Sequence, residues 1–123
     1  MAFEVQIKDS SKELTAREKI RLKDTTDAVK LDEATQENPV VIKPVAYAIL
    51  AVHNDKADDK DYEQYIIEDA DGTKYVTGSE SFWNSFIGIY EEMAGEEEDW
   101  SIKAYRMPSK NYAGRDFLTC SLM

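Results

Sequence analysis

The order of segments in this 123-residue chain predicts a mainly β fold, with one α-helix. Five β-rich runs lie between residues 15 and 123, and one amphipathic run separates the third from the fourth. A helix at that place among five strands is typical of a small, five-stranded Greek-key β-barrel. The length and the 42% hydrophobic content indicate one domain, residues 1–123, with a single core.

The first strand is predicted over residues 15–24. Residues 1–13 alternate weakly and are expected to form either an extra strand or an arm. Alternate side chains of a strand lie on the same face, and here every second residue from 17 to 23 is basic. The period therefore predicts a basic stripe made of Arg17, Lys19, Arg21 and Lys23.

The second and third strands are predicted over residues 40–53 and 62–69. Pro44 lies inside the second run, and because proline cannot donate to a ladder it indicates an edge or a bulge where the strand bends. Asp71-Gly72 is a strong tight-turn signal after the third run, and residues 74–77 are expected to return to extended structure.

The helix is predicted over residues 79–94, because apolar side chains recur there at intervals of three and four. Ser79 or Ser81 is expected to cap its N-terminus, and Gly95 is expected to end it. The stripe that should face the core consists of Phe82, Phe86, Ile89 or Tyr90, and Met93.

The last two strands are predicted over residues 100–107 and 116–123. In the fourth, Trp100, Ile102 and Ala104 should face opposite to Lys103 and Tyr105. The fifth should turn one set of side chains inward (Leu118, Cys120 and Leu122) and the other outward (Phe117, Thr119 and Ser121).

The net charge of −10 is unevenly distributed. Residues 54–72 carry eight carboxylates against two lysines, and residues 91–99 carry six carboxylates and no cation. The rest of the chain is slightly basic, with excess positive charge in residues 17–23 and 100–123. Such acidic runs usually lie in solvated loops, so the basic segments are the part that can meet phosphates.

Cations together with exposed aromatic rings suit an unpaired polynucleotide, because cations follow the phosphates and rings stack on bases. In the predicted barrel, the first strand and the last hairpin should lie close together. The residues expected to contact nucleic acid are Arg17, Lys19, Arg21, Lys23, Lys43, Tyr65, Lys103, Tyr105, Arg106, Lys110, Tyr112, Arg115 and Phe117.

Catalysis finds little support in the sequence, and no enzyme activity or cofactor is expected. No histidine or cysteine pair has metal-ligand spacing, and no phosphate-binding glycine loop or nucleophile motif is present. The longest apolar run is too short to span a bilayer, and residues 1–4 show no export signal. The lone Cys120 is expected to be inert in a reducing cytoplasm.

Two stretches carry a family resemblance: residues 65–79 with their Ala-Asp-Gly turn, and residues 100–122 with a Ser-Lys-Asn loop before an aromatic-containing strand. Together with the intervening helix, they resemble single-stranded DNA-binding proteins of small tailed bacteriophages. The resemblance implies an OB-type barrel that coats single-stranded DNA during phage replication or recombination. It also implies replication or recombination proteins as partners, in the cytoplasm of a bacterial host.

Two other functions stay open at this stage. The acidic segments 54–72 and 91–99 could form a phosphate-like surface that binds or inhibits a host DNA-binding protein. A phage assembly protein is the other alternative. The sequence leaves the oligomeric state open, a homo-oligomer included.

Overall fold

The computed structural model describes residues 3–11, 13–54, 61–93, 95–96, 99–108 and 116–123. The fold is mainly β, as predicted. Its elements are β1 (Phe3–Ser10), α1 (Ala16–Lys23), β2 (Val29–Lys30), α2 (Leu31–Ala34), β3 (Val40–Ile42), β4 (Pro44–Asn54), β5 (Asp61–Asp69), β6 (Lys74–Thr77), α3 (Glu80–Met93), β7 (Ile102–Pro108) and β8 (Asp116–Leu122).

The described strands form two sheets instead of the closed barrel that the order of segments predicted. One sheet has five strands in the order β1-β4-β5-β6-β2, and the other has three in the order β3-β7-β8. The chain divides into two compact units, Met1–Val29 with Val45–Gly78 and Lys30–Pro44 with Ser79–Met123. The run 40–53 explains why the strands form two sheets. It breaks at Lys43, and its halves β3 and β4 join different sheets.

In the first unit, β1 is the extra strand and pairs antiparallel with β4, from Phe3 opposite Asn54 to Ser10 opposite Ala48. A bulge between Ile7 and Asp9 interrupts this ladder. The core of the unit combines Leu22 of α1 with alternate residues of β4 and one residue of β5. These side chains are Leu22, Ala48, Leu50, Val52 and Ile66.

The prediction of a strand over residues 15–24 is wrong, because residues 16–23 form a helix. Thr15 and Glu18 make a capping box at its start. The Glu18 N–H donates to Oγ1 of Thr15 at 3.2 Å, and the Thr15 N–H donates to a Glu18 carboxylate oxygen at 3.1 Å. This reciprocal pair satisfies two backbone donors that a helix start otherwise leaves without partners. It favours the helix over the strand.

A buried lysine holds the other end of α1. The side chain of Lys74, on β6, is 9% exposed, and its ammonium donates to the backbone carbonyls of Arg21 at 2.8 Å and Asp24 at 2.7 Å. The last carbonyls of a helix lack partners within the helix, so a cation there satisfies them and complements the helix dipole. Asp27 lies 3.4 Å from the same ammonium.

The turn between β5 and β6 forms as predicted. Gly72 has φ of 91°, a backbone conformation that glycine adopts at no steric cost. The Thr73 N–H donates to Oδ1 of Asp71 at 2.8 Å, and this hydrogen bond lowers the pKa of the Asp71 carboxyl.

In the second unit, α3 follows its predicted bounds closely. Oγ of Ser79 accepts the Phe82 N–H at 3.2 Å, and Gly95 adopts a φ of 93° just after the helix. The helix packs against β8, where the Ser81 hydroxyl donates to the Leu118 carbonyl at 2.9 Å. A helix covering the outer edge of β8 leaves that edge less open to another strand.

The inward and outward pattern of the last hairpin is confirmed for most residues. Ile102 and Ala104 are fully buried, and Lys103 is exposed. One assignment in β8 is wrong, because Leu122 is 46% exposed near the end of the strand. Thr119 shares the face of Phe117 and Ser121 as predicted, but it is buried, and its hydroxyl lies 3.2 Å from that of Ser85 on α3. No helix in the described part of the chain is long and apolar enough to cross a membrane.

Candidate nucleic-acid interface

The solvent-facing side of the β3-β7-β8 sheet is the strongest candidate binding surface. The register aligns Val41, Lys103 and Ser121 across the three strands, and it places Met107 opposite Phe117. Side chains directly opposite each other share one face of an antiparallel sheet. We define the outer sheet face as the side chains on this side that contact solvent: Val41, Lys103, Tyr105, Met107, Phe117 and Ser121. Thr119, opposite Tyr105 on the same side, is buried against α3 and is not part of it.

Lys103 and Tyr105 form the polar centre of the outer sheet face. The Lys103 ammonium lies 5.3 Å from the centroid of the Tyr105 ring, within the range of a cation–π interaction. The Tyr105 hydroxyl lies 2.7 Å from that of Ser121 on the neighbouring strand, which fixes the orientation of the ring. Among the described residues, Lys103 has no carboxylate partner. Its charge is therefore available to an anion.

Three apolar side chains flank this pair and remain in contact with solvent. Val41 is 53% exposed, Met107 41% and Phe117 38%. Phe117 and Met107 are cross-strand partners, so their side chains form a small apolar platform beside Tyr105. A flat ring at the edge of such a platform can accept the face of a nucleobase.

Arg106 has a structural position on the opposite face of the same sheet. Its side chain alternates with those of Tyr105 and Met107 and shares a face with the buried Leu118. One guanidinium nitrogen donates to Asp116 at 2.9 Å, and another donates to the backbone carbonyl of Asp32. These bonds tie β7 to β8 and to α2, so Arg106 does not contribute to the outer sheet face.

The α1 cations do not form the predicted stripe, because a helix has a different period from a strand. Residues four apart share a helix face, so Arg17 aligns with Arg21, and Lys19 aligns with Lys23. Arg21 is already paired, at 2.8 Å from Glu68 of β5. Because residues 16–23 are helical, the predicted pairing of a first strand there with the last hairpin does not occur among the described strands.

Two further predicted residues are engaged elsewhere. Tyr65 is 7% exposed in β5, so its ring is packed in the first unit instead of open for stacking. Lys43 lies 3.3 Å from Asp99, a surface ion pair of the second unit. Lys110, Tyr112 and Arg115 lie outside the described residues, and their contact with nucleic acid stays a prediction.

The sequence patterns missed three members of the outer sheet face: Val41, Met107 and Ser121. A signal for Met107 was present, because it continues the alternation of Lys103 and Tyr105 along β7. A signal for Ser121 was present as well, because it alternates with Phe117 along β8, but Val41 could be found only from the pairing of β3 with β7. No cluster of potential metal ligands occurs among the residues whose positions are described. Burial raises the pKa of the Cys120 thiol to about 12, so it stays protonated and inert.

Comparison of the chain with protein-family models, with curated proteins and with solved structures finds no match. The geometry of the chain itself is therefore the basis for its functional assignment. The resemblance to phage single-stranded DNA-binding proteins stays a prediction.

Proposed function

We propose that this protein binds single-stranded DNA with little sequence preference through the outer sheet face. Bases stack on Phe117 and the adjoining apolar platform, and the Lys103 ammonium contacts a phosphate. The observation that carries the proposal is the placement of a cation and two aromatic rings on one exposed face of three short strands. The proposal does not require a closed barrel.

The chemistry of the face favours an unpaired strand over a duplex. Stacking needs a base whose face is open, and each stacked base contributes about 1–3 kcal/mol by alanine substitution. In a duplex the bases stack on each other and present only their edges. A face with few cations gains little from duplex phosphates, so the affinity for single strands should exceed that for duplex DNA.

Stacking on Phe117 also accounts for an acidic chain that binds a polyanion. Non-specific binding usually depends on several cations that release counterions from the phosphates. Here one described cation of the outer sheet face lacks a carboxylate partner, so aromatic contacts should supply much of the affinity. We therefore expect binding that weakens with salt, but less steeply than binding to a broad basic surface.

The test is a salt titration of binding to fluorescein-labelled oligo-dT of about 16 nucleotides, the upper end of the site sizes of one barrel. Wild-type binding should weaken with salt, and Lys103→Ala should flatten the log–log slope by about 0.7, the value for one single-strand phosphate. Exposed Arg17 of the first unit supplies the matched control, because Arg17→Ala should leave the slope unchanged. Undetectable binding at low salt, or a slope that Lys103→Ala does not change, would reject the proposal.

In the cell, we propose that this activity coats and protects single strands during bacteriophage replication or recombination in the host cytoplasm. Replication or recombination proteins are the partners that such a role requires. Competition among single-stranded DNA, RNA and duplex DNA for the labelled oligonucleotide measures the preference directly. A preference for duplex DNA would contradict the stacking mechanism.

A second candidate function is binding of a host protein through carboxylates, and one observation favours it. The last turn of α3 carries exposed Glu91 and Glu92 with no basic residue. Negative charge near a helix C-terminus costs about 0.3–1 kcal/mol, which stability alone does not explain. Against this role, the three described acids of residues 61–68 have partners within the chain: Asp61 with His53, Glu63 with Lys8 and Glu68 with Arg21. If the second candidate function is correct, charge reversal at Glu91 and Glu92 should abolish binding of the host protein. If the protein binds single-stranded DNA instead, the same change should not affect its function.

A further inference from the structure

A groove lies within the first unit between β1 and α1. Its volume is about 750 Å³, within the size range of sites that bind small ligands and short segments. Gln6, Ile7 and Ser10 line it from β1, and Lys19 and Lys23 line it from α1. The groove therefore has a strand on one side and a pair of cations on the other.

The strand side of the groove is a free sheet edge. In the described sheets β1 pairs with β4 alone, so it is the outermost strand of its sheet. Alternate residues of an edge strand direct N–H and C=O groups away from the sheet, where they can pair with another extended backbone. The bulge between Ile7 and Asp9 disturbs the edge beyond that point. Regular pairing is therefore open over residues 3–7.

The helix side of the groove carries positive charge with which no described residue forms an ion pair. Lys19 and Lys23 are exposed, and neither forms an ion pair with any described residue. They are four apart on α1, which places their Cβ atoms about 5–6 Å from each other. Side chains two apart on an extended strand are separated by about 6.6 Å. The two lysines thus match carboxylates at alternate positions of an added strand.

We propose that this groove binds an extended acidic segment of a partner protein by β-strand addition. The segment pairs its backbone with the free edge of β1 and directs alternate carboxylates toward Lys19 and Lys23. The groove holds one carboxylate of its own, Glu13, against these two ammonium groups, so its lining charge is positive. Backbone pairing would supply the affinity. The two lysines would supply the preference for acidic sequences.

The free edge explains why the occupant is a peptide instead of a polynucleotide. Backbone N–H and C=O groups in alternation match the donors and acceptors of another peptide strand, whereas a phosphodiester backbone offers acceptors only. The described residues that line the groove also include no aromatic side chain on which bases could stack. The site is thus distinct in chemistry from the outer sheet face.

The test uses a fluorescein-labelled peptide of alternating Glu and Val, titrated against the full chain. Two modified peptides separate the contributions: one replaces every Glu by Gln, and the other carries N-methyl groups on alternate backbone amides. We expect binding of the acidic peptide, roughly tenfold weaker binding of the Gln peptide, and no binding of the N-methylated peptide, which cannot donate along one edge.

Protein variants locate the site. The double change Lys19→Glu with Lys23→Glu should weaken binding of the acidic peptide by roughly tenfold or more. Arg17→Glu with Lys30→Glu is the matched control, because it alters net charge equally at exposed residues outside the groove lining, and it should weaken binding much less. Lys103→Ala should bind the peptide as the wild type does, which keeps this outcome independent of DNA binding.

Several results would overturn the proposal. If the Lys19→Glu/Lys23→Glu variant bound the acidic peptide as tightly as the wild type does, the groove would not be the binding site. If the N-methylated peptide bound as tightly as the unmodified peptide, the binding would not be strand addition. A stable homodimer in sedimentation that the peptide does not disturb, but that Gln6→Pro dissociates, would show that a second copy of this chain occupies the edge.

Discussion

Cations and aromatic rings have contrasting roles at two places in the molecule, one around α1 in the first unit and the other on the outer sheet face of the second. In the first unit, Lys74 is buried against the end of α1, Arg21 is paired with Glu68, and Tyr65 is packed inside. In the second unit, Lys103 and Phe117 remain on an exposed sheet face. Lys74, Arg21 and Tyr65 thus stabilise the first unit, whereas Lys103 and Phe117 of the second unit are open to a ligand.

This difference shows that a count of cations in a segment does not locate a binding surface. Residues 17–23 and 100–123 carry comparable positive charge. What separates them is geometry, because the helix distributes the α1 cations around its axis and the sheet aligns Lys103 and Tyr105 on one side. Two matched pairs, Phe86 with Phe117 and Lys74 with Lys19, test this contrast between buried and exposed use of one residue type.

The largest effect is expected from Phe86→Ala. Phe86 is fully buried and its ring lies 5.1 Å from that of Trp83 and 5.7 Å from that of Tyr90. Removal of a buried phenylalanine should lower the free energy of unfolding by about 3–5 kcal/mol, measured by urea denaturation. Phe117→Ala, the exposed counterpart in the same unit, should change it by less than about 0.5 kcal/mol. If both variants lost the same free energy of unfolding, Phe117 would be a core residue and could not be a stacking platform.

The next largest effect is expected from Lys74→Met. The variant leaves two carbonyls at the end of α1 without their donor, so the free energy of unfolding should fall by about 1–3 kcal/mol. Hydrogen exchange should show faster opening of α1 than of α3. Lys19→Met provides the comparison, because Lys19 is exposed and should tolerate the change. If Lys74→Met were as stable as the wild type, the ammonium would not hold the helix.

Thr15→Ala and Ser79→Ala compare the helix caps of the two units. Each removes a side-chain oxygen that accepts a backbone N–H, from Glu18 and from Phe82 respectively. A loss of about 1 kcal/mol is expected in each case, again from denaturation curves. Thr15→Ser should retain most of the stability. An unchanged free energy of unfolding in Thr15→Ala would contradict the capping box.

The smallest effect concerns the buried thiol. Burial raises the pKa of Cys120 to about 12, so a disulfide reagent at pH 8 should label the native protein slowly and the unfolded protein at the normal rate. A folded-state pKa above that of the unfolded thiol stabilises the fold below the unfolded pKa. That contribution is lost as the pH rises from about 8.5 toward 12. Rapid labelling of the native protein would show that the thiol is open to solvent.

Sequence patterns could predict the elements that depend on local chemistry. The spacing of Phe82 and Phe86, the Ser79 cap and Gly95 indicated α3, and Asp71-Gly72 indicated the turn before β6. The α1 helix also had a local signal, Thr15 followed by Glu18 at the capping-box spacing. Alternating cations satisfy the strand period, but residues 17 and 21, and 19 and 23, satisfy the helix spacing equally. The strand period is therefore the wrong one for this segment.

The remaining features depend on contacts between distant residues. Lys74 is separated by 53 positions from Arg21, whose carbonyl it binds, and no local pattern marks it as buried. Pro44 indicated a break in the run 40–53, but whether its halves stay in one barrel or join two sheets depends on which strands pair with each. For the same reason, Val41 joins the outer sheet face only through the register of β3 with β7.

The most direct test of the proposed interface compares two double variants in their binding to labelled oligo-dT. Lys103→Ala with Phe117→Ala removes exposed groups of the outer sheet face, and Lys19→Ala with Lys23→Ala removes exposed groups of α1. Loss of one stacked base and one phosphate contact should weaken the first variant by at least about tenfold, while the second binds within about twofold of the wild type. Full affinity in the first variant, with loss confined to the second, would contradict the assignment of DNA binding to the β3-β7-β8 sheet.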